Sequence, residues 1–479
     1  MVKKLSSFIN GEFVESSGND WIDVVNPSTE AVIAQIPSSS AEDTNKAVDA
    51  AFEAQKTWKK IPAVQRGKYL HKIAAGIRKR ADELTAVIVK EGGKTQALAK
   101  SEVESTADYF DYNAEWARRY EGEIIQSDRP HENILLFKQP IGVAGGILPW
   151  NFPFFLIARK VSPALVTGNT IVVKPSQQTP INAYVFAEIV KASGLPAGVF
   201  NMVPGKGSVV GQALAANPKV GIISLTGSVP AGQKIMETAA KNITKVSLEL
   251  GGKAPVIVMD DADLDLAVKA IVASRVINTG QVCNCAERVY VQKGVAKTFT
   301  EKLTAAMKGV KYGNPAEQAD LDMGPLIEKG ALEAVSEKVA RAVKQGATVA
   351  TGGERAFDRG YFYKPTVLTH VTNEMDIMHE ETFGPVIPIA DFSTLEEAVE
   401  LANDSEFGLT SSIFTTNLDN TFYAIANLEF GETYVNREHF EALQGFHAGW
   451  KKSGIGGADG KHGLEEYLQT HVAYLDTKK

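Results

Sequence analysis

The sequence predicts an α/β protein built on parallel sheets. From Gly142 onward, short runs of apolar residues recur about every 25 residues and alternate with stretches of helical periodicity. Because these runs are apolar throughout, their strands should be covered on both faces, which is typical of parallel sheets flanked by helices. Ligands of such sheets bind beyond the carboxyl ends of the strands, so the residues that follow the runs form the candidate site.

The runs fall into two sets, and no polar linker separates them near Gly251. The strands of the first set are predicted at 143–148, 170–174, 199–203, 220–225 and 245–250. In the second set, the segments PVIVM, RVYVQ and PVIPIA are predicted strands, and Ala331 to Gln345 is a predicted helix.

The segments outside these sets predict N-terminal helices and an additional β element. The first hundred residues are helical in pattern, with Ser40 as the N-cap of one helix and residues 68–90 in another. Residues 121–139 predict a hairpin outside the sheets, and HVAYLD near the C-terminus predicts a lone apolar strand. Because unpaired strands pair readily with another chain, we expect an oligomer.

Composition excludes several classes of protein. The chain has 479 residues, 44% hydrophobic and 22% charged, which suits a large core in two or three domains and not a disordered chain. Lys and Arg number 50 against 57 Asp and Glu, and the bases form no stripe, so we expect no nucleic-acid partner. The longest uncharged stretch, 139–158, is broken by prolines, so we expect no membrane span.

The N-terminus and the cysteines bear on location and metals. The N-terminal lysines are followed by no apolar segment of signal-peptide length, so we expect a cytoplasmic protein. The two cysteines, Cys283 and Cys285, are too few for a disulfide scaffold and too closely spaced to bridge without strain. The eight histidines are scattered and form no zinc-binding motif, so we expect no metal site.

The segment GQVCNC (280–285) contains a candidate nucleophile, Cys283. We expect it at the junction of a loop and a helix, where backbone N–H groups favour a thiolate. Most free cysteines are nevertheless small core residues, and that is the interpretation we keep for Cys285.

Two polar residues are candidates for acid-base and oxyanion chemistry. Glu249 ends the strand of LELGGK, where a carboxylate that faces a cleft can act as general base; a cap or a surface acid is the alternative. Asn151 lies between prolines in PWNFP, which suits a fixed amide donor to an oxyanion; ordinary turn chemistry is the alternative.

Two strand ends are candidates for binding ribose or phosphate groups. Lys174 ends the strand of VVKPS, although many strand-end lysines face only solvent. TGSVPAG (226–232) follows a strand and leaves a helix N-terminus open to a pyrophosphate, without the usual G-x-G-x-x-G. The same segment misses a Walker A loop by one residue and lacks its Ser or Thr, so we reject a P-loop.

Seven motifs occur in a fixed order along the chain: PWNFP, KPS, TGS, LELGGK, GQVC, EETFGP (380–385) and WKKSG (450–454). In this order they resemble the aldehyde dehydrogenase superfamily, and the resemblance extends from about Ile9 to Leu475. The tail at 436–469 is most similar to the bacterial lactaldehyde and glycolaldehyde dehydrogenases.

The resemblance implies three structural parts. These are a Rossmann-type NAD(P)-binding domain (1–121 and 139–250), an α/β catalytic domain (251–446), and a β oligomerisation arm with the C-terminal segment (122–138 and 447–479). Family habit further implies a homotetramer of paired dimers.

The resemblance implies NAD(P)-dependent oxidation of a small aldehyde to the acid. Cys283 would add to the aldehyde carbon, the adduct would give hydride to nicotinamide, and the thioester would be hydrolysed. The Asn151 side chain and the backbone N–H of Cys283 would hold the oxyanion, and Glu249 would activate water. The alternatives are a semialdehyde dehydrogenase, a CoA-acylating relative, which would typically lack that carboxylate, and a non-catalytic structural descendant.

A dinucleotide site is implied as well. Lys174 would bind the adenosine ribose, Gly227 and Ser228 the pyrophosphate, and Glu381 the nicotinamide ribose. Further family positions for the cofactor are Phe383, Ile147, Pro149, Trp150, Ser176, Gln177, Gly207 and Leu250. Gln177 replaces the glutamate common in NAD-selective relatives, so we predict NAD as cofactor with relaxed discrimination against NADP.

The expected substrate funnel is polar. Arg159, Asn284, Glu441 and His447 favour small α-hydroxyaldehydes, such as lactaldehyde or glycolaldehyde, over long apolar aldehydes, and each is also a candidate interdomain contact. Lys160 occupies the position of a proton-relay lysine in some relatives. Ala458 stands in place of the relay glutamate, so another route, such as solvent, must serve.

Overall fold

A computed structural model describes residues 2–18 and 20–477. Met1 and Asn19 of the predicted segment 1–121, and Lys478 and Lys479 of the predicted segment 447–479, lie outside the described residues. In chain order, the strands are β1 (Lys3–Lys4), β2 (Ser7–Ile9), β3 (Glu12–Val14), β4 (Trp21–Val25), β5 (Val32–Pro37), β6 (Glu123–Gln126), β7 (Glu132–Pro140), β8 (Val143–Ile147), β9 (Thr170–Lys174), β10 (Phe200–Met202), β11 (Val220–Thr226), β12 (Lys245–Glu249), β13 (Ala254–Val258), β14 (Ala286–Gln292), β15 (Thr348–Thr351), β16 (Thr366–Thr369), β17 (Val386–Phe392), β18 (Phe407–Gly408), β19 (Thr410–Phe414), β20 (Glu432–Val435), β21 (Trp450–Lys451), β22 (Gly454–Ile455) and β23 (Leu468–Asp476).

The α-helices cover the faces and edges of the sheets. In chain order they are α1 (Ala41–Trp58), α2 (Ala63–Lys79), α3 (Ala81–Gly92), α4 (Gln96–Glu115), α5 (Pro153–Thr167), α6 (Ile181–Ser193), α7 (Gln212–Ala216), α8 (Val229–Ala239), α9 (Leu264–Val276), α10 (Ala296–Lys308), α11 (Lys329–Lys344), α12 (Asp376–His379), α13 (Leu395–Asn403), α14 (Leu418–Asn427) and α15 (Gly460–Glu465).

Two large sheets, parallel at their centres, organise the fold, as the sequence predicts. The first has eight strands in the order β22-β12-β11-β8-β9-β10-β2-β3, and its central strands β12 to β10 run parallel. The second has seven strands in the order β15-β16-β17-β14-β13-β19-β20, parallel except for the β15–β16 pair. Strands β8, β9 and β13 are buried along their whole length, which confirms that helices cover both faces.

The N-terminal region departs from the helical pattern predicted for it. Strands β1 to β5 occupy residues 3–37 before the first helix. The N-cap prediction is confirmed: the Ser40 hydroxyl accepts from Asp43 N–H at 3.1 Å, and the Asp43 carboxylate accepts from Ser40 N–H at 3.0 Å. The predicted helix 68–90 is instead α2 and α3, because Arg80 leaves helical geometry (φ −109°) while its side chain binds Glu83 and Glu188.

The predicted hairpin is present, but the C-terminal strand is not alone. β23 pairs antiparallel with β7 along its whole length, and β6 covers the other edge of β7. The interpretation of an unpaired strand was therefore wrong, because the chain itself supplies the partner. The resulting three-stranded sheet nevertheless exposes large apolar side chains, among them Ile124 (78% exposed) and Tyr474 (68%).

The first sheet brings its predicted site residues to one edge. Ile147 at the end of β8 pairs with Lys174 of β9 and with Leu225 of β11, and Thr226 pairs with Glu249 of β12. The strand ends therefore lie side by side and face the loop that precedes β14 in the second sheet. Among the described residues, no helix is both long and apolar enough to cross a membrane.

Candidate active site

A cavity of about 430 Å³ lies at this edge, between the two large sheets. It collects most of the predicted site residues in its wall: Pro149, Trp150, Asn151, Arg159, Gly227, Ser228, Glu249, Leu250, Cys283, Asn284, Glu381, Phe383, Glu441 and His447. The other predicted residues lie outside this cavity. They are Ile147, Lys174, Ser176, Gln177 and Gly207, which gather near the ends of β8 and β9.

The loop that carries Cys283 is held in an unusual backbone conformation. Asn278 (φ 45°) and Thr279 (φ 62°) both adopt left-handed geometry before it. Our expectation of a loop-to-helix junction was wrong, because Cys283 lies in a turn that leads into strand β14. The buried Arg275 guanidinium fixes this turn, since it donates to the carbonyl oxygens of Gly280 at 2.9 Å and Ala286 at 2.7 Å.

The two cysteines differ in their surroundings. Cys283 is partly exposed to the cavity, whereas Cys285 is buried and its thiol donates to the carbonyl of Val282 at 3.0 Å. Burial raises the pKa of Cys285 to about 12, so it remains a neutral thiol near neutral pH. Cys285 is therefore a packed core residue, and Cys283 is the thiol that faces the cavity.

Asn151 lies against the cysteine loop. Its side-chain amide donates to the backbone carbonyl of Gln281 at 3.0 Å, and its backbone carbonyl accepts from the Asn278 side-chain amide at 3.1 Å. A primary amide has two N–H donors, so one remains after the bond to Gln281. The bond to Gln281 orients the amide, and Asn151 and Cys283 line the same cavity.

Glu249 is buried and ionised. Its carboxylate accepts a hydrogen bond from the Thr226 hydroxyl at 2.5 Å and lies 3.9 Å from the ammonium of Lys160. Burial alone would raise its pKa, but Lys160, Arg159 and His447 together lower it. The carboxylate is therefore available to accept a proton near neutral pH.

Lys160 is held beside this carboxylate from α5. Its ammonium donates to the Ser224 hydroxyl at 3.0 Å, and burial lowers its pKa to about 8. Ala458 forms a backbone bridge with His447 and presents no carboxylate to Lys160.

A second group of buried charges fixes Glu381 and Phe383. Glu287 on β14 pairs with Lys253 at 2.6 Å, and it accepts from the backbone N–H groups of Thr382 and Phe383 at 2.9 and 3.1 Å. Glu381 accepts from Gly252 N–H at 2.9 Å, and burial raises its pKa to about 7. Sequence reasoning missed Glu287, although an acid inside the apolar strand AERVYVQ signals a buried partner.

Gly227 and Ser228 lie at the start of α8. Ser228 is the N-cap, and a β-carbon at position 227 would find no atom closer than 3.8 Å, so the space in front of the helix is open. Lys174 ends β9 close to Gly207, where a β-carbon would lie 4.0 Å from the lysine Nζ. Burial lowers the pKa of Lys174 to about 8.

The four predicted substrate residues are connected by paired side chains. Arg159 binds Glu441 at 3.0 Å, and Asn284 donates to the same Glu441 at 2.5 Å. Arg159 also forms a buried ion pair with Asp459 at 2.6 Å, which sequence reasoning missed. His447 lies 2.6 Å from Glu432, another missed residue. We call these six residues the polar wall (Arg159, Asn284, Glu432, Glu441, His447 and Asp459). Arg159, Asn284, Glu441 and His447 line the cavity, and Glu432 and Asp459 pair with them.

The residues present fit a nicotinamide dinucleotide. The open N-terminus of α8 suits a pyrophosphate, because unpaired backbone N–H groups and the helix dipole attract anions. Lys174 is a buried ammonium whose pKa shift has burial as its only cause, so it offers its charge to a ligand. In residues 2–18 and 20–477, no group of three or more His, Cys, Asp or Glu side chains is placed to hold a metal ion.

The fold and this arrangement of thiol, amide and carboxylate define an aldehyde dehydrogenase. The model of the "Aldehyde dehydrogenase family" matches residues 13–473, so the chain belongs to this family and is an NAD(P)-dependent oxidoreductase that acts on aldehydes. It is 67% identical to lactaldehyde dehydrogenase of Escherichia coli (strain K12) over 470 residues, 98% of each chain. The crystal structure of lactaldehyde dehydrogenase from Escherichia coli matches with a TM-score of 0.99 and 66% identity over 100% of both chains.

More distant relatives include an NADP-linked enzyme. The chain is 39% identical to D-glyceraldehyde dehydrogenase (NADP(+)) of Thermoplasma acidophilum over 475 residues, 98% of this chain and 96% of that protein. These matches confirm the family resemblance and the fold class inferred from the motifs.

Proposed function

We propose that this enzyme oxidises small α-hydroxyaldehydes, such as lactaldehyde or glycolaldehyde, to the carboxylic acids. The observation that carries the proposal is the cavity itself, in which Cys283, Asn151 and Glu249 share the lining with Arg159, Asn284, Glu441 and His447 of the polar wall. A substrate hydroxyl placed against this wall finds polar atoms that can form further hydrogen bonds, whereas a long alkyl chain would remove those atoms from water and form no such bond. The identity to a protein named lactaldehyde dehydrogenase supports the same substrate class.

The three residues divide the chemistry between them. Cys283 Sγ adds to the carbonyl carbon, and the negative charge that develops on oxygen is held by the Asn151 amide and the backbone N–H of Cys283. A bound dinucleotide supplies the hydride acceptor that converts this adduct into a thioester. Glu249 then takes a proton from the water that attacks the thioester, and the acid leaves as the thiolate of Cys283 returns.

Lys160 acts on Glu249 and not on the substrate. Its charge at 3.9 Å keeps the carboxylate ionised in a buried position. Because Ala458 offers no second carboxylate, the proton that Glu249 collects returns to solvent by another route. We propose that this proton exchanges with solvent through the open cavity.

For the cofactor, we propose NAD with tolerance of NADP. Lys174, Ser176, Gln177 and Gly207 lie together near the end of β9, where the adenosine ribose would be bound. Ser176 donates to Gln178 at 2.6 Å, and Gln177 brings no negative charge to repel a 2′-phosphate. The relative named for NADP(+) shows that related enzymes use the phosphorylated cofactor.

We further propose the three-part organisation, a homotetramer and a cytoplasmic location. The first sheet would bind the dinucleotide, the second would carry Cys283, and the exposed apolar side chains of the β6–β7–β23 sheet would be buried between subunits. Free thiols at Cys283 and Cys285 suit a reducing compartment. Mass measurement by light scattering, and fractionation of cells, test the assembly and the location.

The decisive experiment is a panel of initial rates with lactaldehyde, glycolaldehyde, succinic semialdehyde, betaine aldehyde and a long alkanal, each with NAD and NADP. We expect the two α-hydroxyaldehydes to have the highest kcat/KM, and Cys283→Ser to abolish every rate. A preference for the long alkanal would refute the substrate class. Added CoA should not increase NADH formation, because Glu249 directs water to the thioester; formation of acyl-CoA would support the acylating alternative.

A further inference from the structure

His447 and the candidate nucleophile Cys283 line the same cavity. The Nδ1 atom of His447 lies 2.6 Å from the Glu432 carboxylate, and interaction with the Cys283 side chain contributes to the raised pKa of His447. The His447 side chain is only 2% exposed and Glu432 only 13%, so the pair is shielded from bulk water. The contact with Glu432 engages Nδ1 and fixes the ring, which leaves Nε2 as the nitrogen available to the thiol of Cys283.

The surrounding charges favour the protonated imidazole. The titratable groups that interact most strongly with His447 are Cys283, Glu432 and Glu441. Asp459 and Glu249 interact with it electrostatically as well, and Arg159 is the other cation of the polar wall. Burial alone would lower the pKa of His447, but the bonds to Cys283 and Glu432 and the nearby carboxylates raise it well above its usual range. Carboxylates therefore outnumber cations around this ring.

We propose that Cys283, His447 and Glu432 act as one unit, in which His447 accepts the thiol proton and its imidazolium stabilises the thiolate. This inference rests on the proposed role of Cys283 as nucleophile. In the step, the Sγ–H bond breaks, a ring N–H bond forms, and no other reactant is consumed. Glu432 is a positioning residue, since it fixes the ring and stabilises its positive charge.

A contact between His447 and the substrate does not by itself explain why Glu432 lies against His447, whereas the proposed unit does. A substrate hydroxyl needs a hydrogen-bonding group in the wall, but it does not need a buried carboxylate behind that group. The contact of the Glu432 carboxylate with Nδ1 therefore indicates that His447 does more than donate one hydrogen bond to a substrate. When the thioester is hydrolysed, the same imidazolium receives the returning thiolate, so the unit serves both covalent steps.

The test is the rate of Cys283 alkylation by iodoacetamide as a function of pH, measured without aldehyde or dinucleotide and located by peptide mass mapping. Only the thiolate reacts, so the rate reports its population. We expect His447→Gln to move the midpoint of the profile upward by about one pH unit and to slow alkylation near pH 6.5 about tenfold, because a charge-assisted hydrogen bond is lost. At high pH, where the thiol ionises without help, the variant and wild type should react at similar rates. Glu432→Gln should shift the midpoint in the same direction by a smaller amount.

His71→Gln is the matched control. His71 also has its Nδ1 2.6 Å from a carboxylate, that of Asp111, but it does not line the cavity. Its replacement should leave the alkylation profile unchanged. Circular dichroism and dinucleotide binding check that each variant is folded.

Two results would overturn the inference. If His447→Gln leaves the alkylation profile unchanged and only raises KM for the aldehyde, the residue is a substrate contact. If wild-type alkylation does not occur at Cys283, the unit does not exist. The proposed function fails separately, when Cys283→Ser still oxidises aldehydes, whatever the alkylation profile shows.

Discussion

Glu102→Leu removes a buried carboxylate that holds the start of α5. Glu102 pairs with Lys94, and both side chains are at most 1% exposed. The other carboxylate oxygen accepts from the backbone N–H groups of Phe154 at 2.9 Å and Phe155 at 3.2 Å. The substitution leaves the ammonium buried without its partner, which costs about 3–5 kcal/mol of unfolding free energy. That loss raises the unfolding equilibrium constant by a factor of about 10² to 10⁴.

Thermal unfolding measures this loss. For a cooperative unit of 150–250 residues, each kcal/mol lowers Tm by roughly 2–4 °C, so we expect a fall of roughly 6–20 °C. The double variant Lys94→Met/Glu102→Leu is the control. It should regain the part of the loss that comes from the unpaired ammonium, whereas the N–H groups of Phe154 and Phe155 still lack their acceptor. Asn151 lies two residues before this helix, so kcat should fall in both variants, because both lack the carboxylate that accepts from Phe154 and Phe155. A Tm within about 2 °C of wild type would be too small a change for the loss of a buried ion pair. Such a result would refute the assignment of the buried pair.

Three further predictions concern the chemistry and the cofactor. Asn151→Ala should lower kcat by about 10²–10³ with little change in KM, since it removes one oxyanion donor; an unchanged kcat in steady-state assays would show that the amide does not act there. Lys160→Met should move the acidic limb of the kcat profile to higher pH, because Lys160 lowers the pKa of Glu249 and its removal raises it, so the carboxylate protonates earlier as pH falls; a profile that keeps its acidic limb would contradict this sign. Gln177→Glu should increase the ratio of kcat/KM for NAD over NADP at least about tenfold, because the new charge repels a 2′-phosphate, and wild type with a ratio already strongly in favour of NAD would show that discrimination does not depend on Gln177.

The sequence predicted the parallel sheets and their strand ends because these depend on local patterns. Apolar runs such as 170–174 identify buried strands without knowledge of the fold, and Lys174 and Glu249 then follow as strand-end residues. The capping box at Ser40 is equally local, since both partners lie within three residues of one another.

The remaining features depend on contacts between distant segments. β23 and β7 are more than 300 residues apart in the chain, so no local pattern signals their pairing. The left-handed backbone at Asn278 and Thr279 is imposed by the bonds of Arg275, Asn151 and Gln281, and not by the residue types alone. For this reason the sequence predicted a helix after the Cys283 loop, where the structure has strand β14.

The polar wall shows why single-residue reasoning about a site falls short. Arg159 and Glu441 suggest charged substrate contacts when each is taken alone, but together with Asp459 and Asn284 they satisfy one another. Because the charges of the polar wall are already paired, they need no counter-charge from a substrate. The wall still presents polar atoms at the surface of the cavity. Such a surface stabilises a neutral hydroxyl beside the aldehyde better than a second carboxylate, which would have to displace an existing partner of Arg159. The pairing within the wall therefore favours a neutral hydroxyaldehyde over a semialdehyde, a distinction that residue types alone do not make.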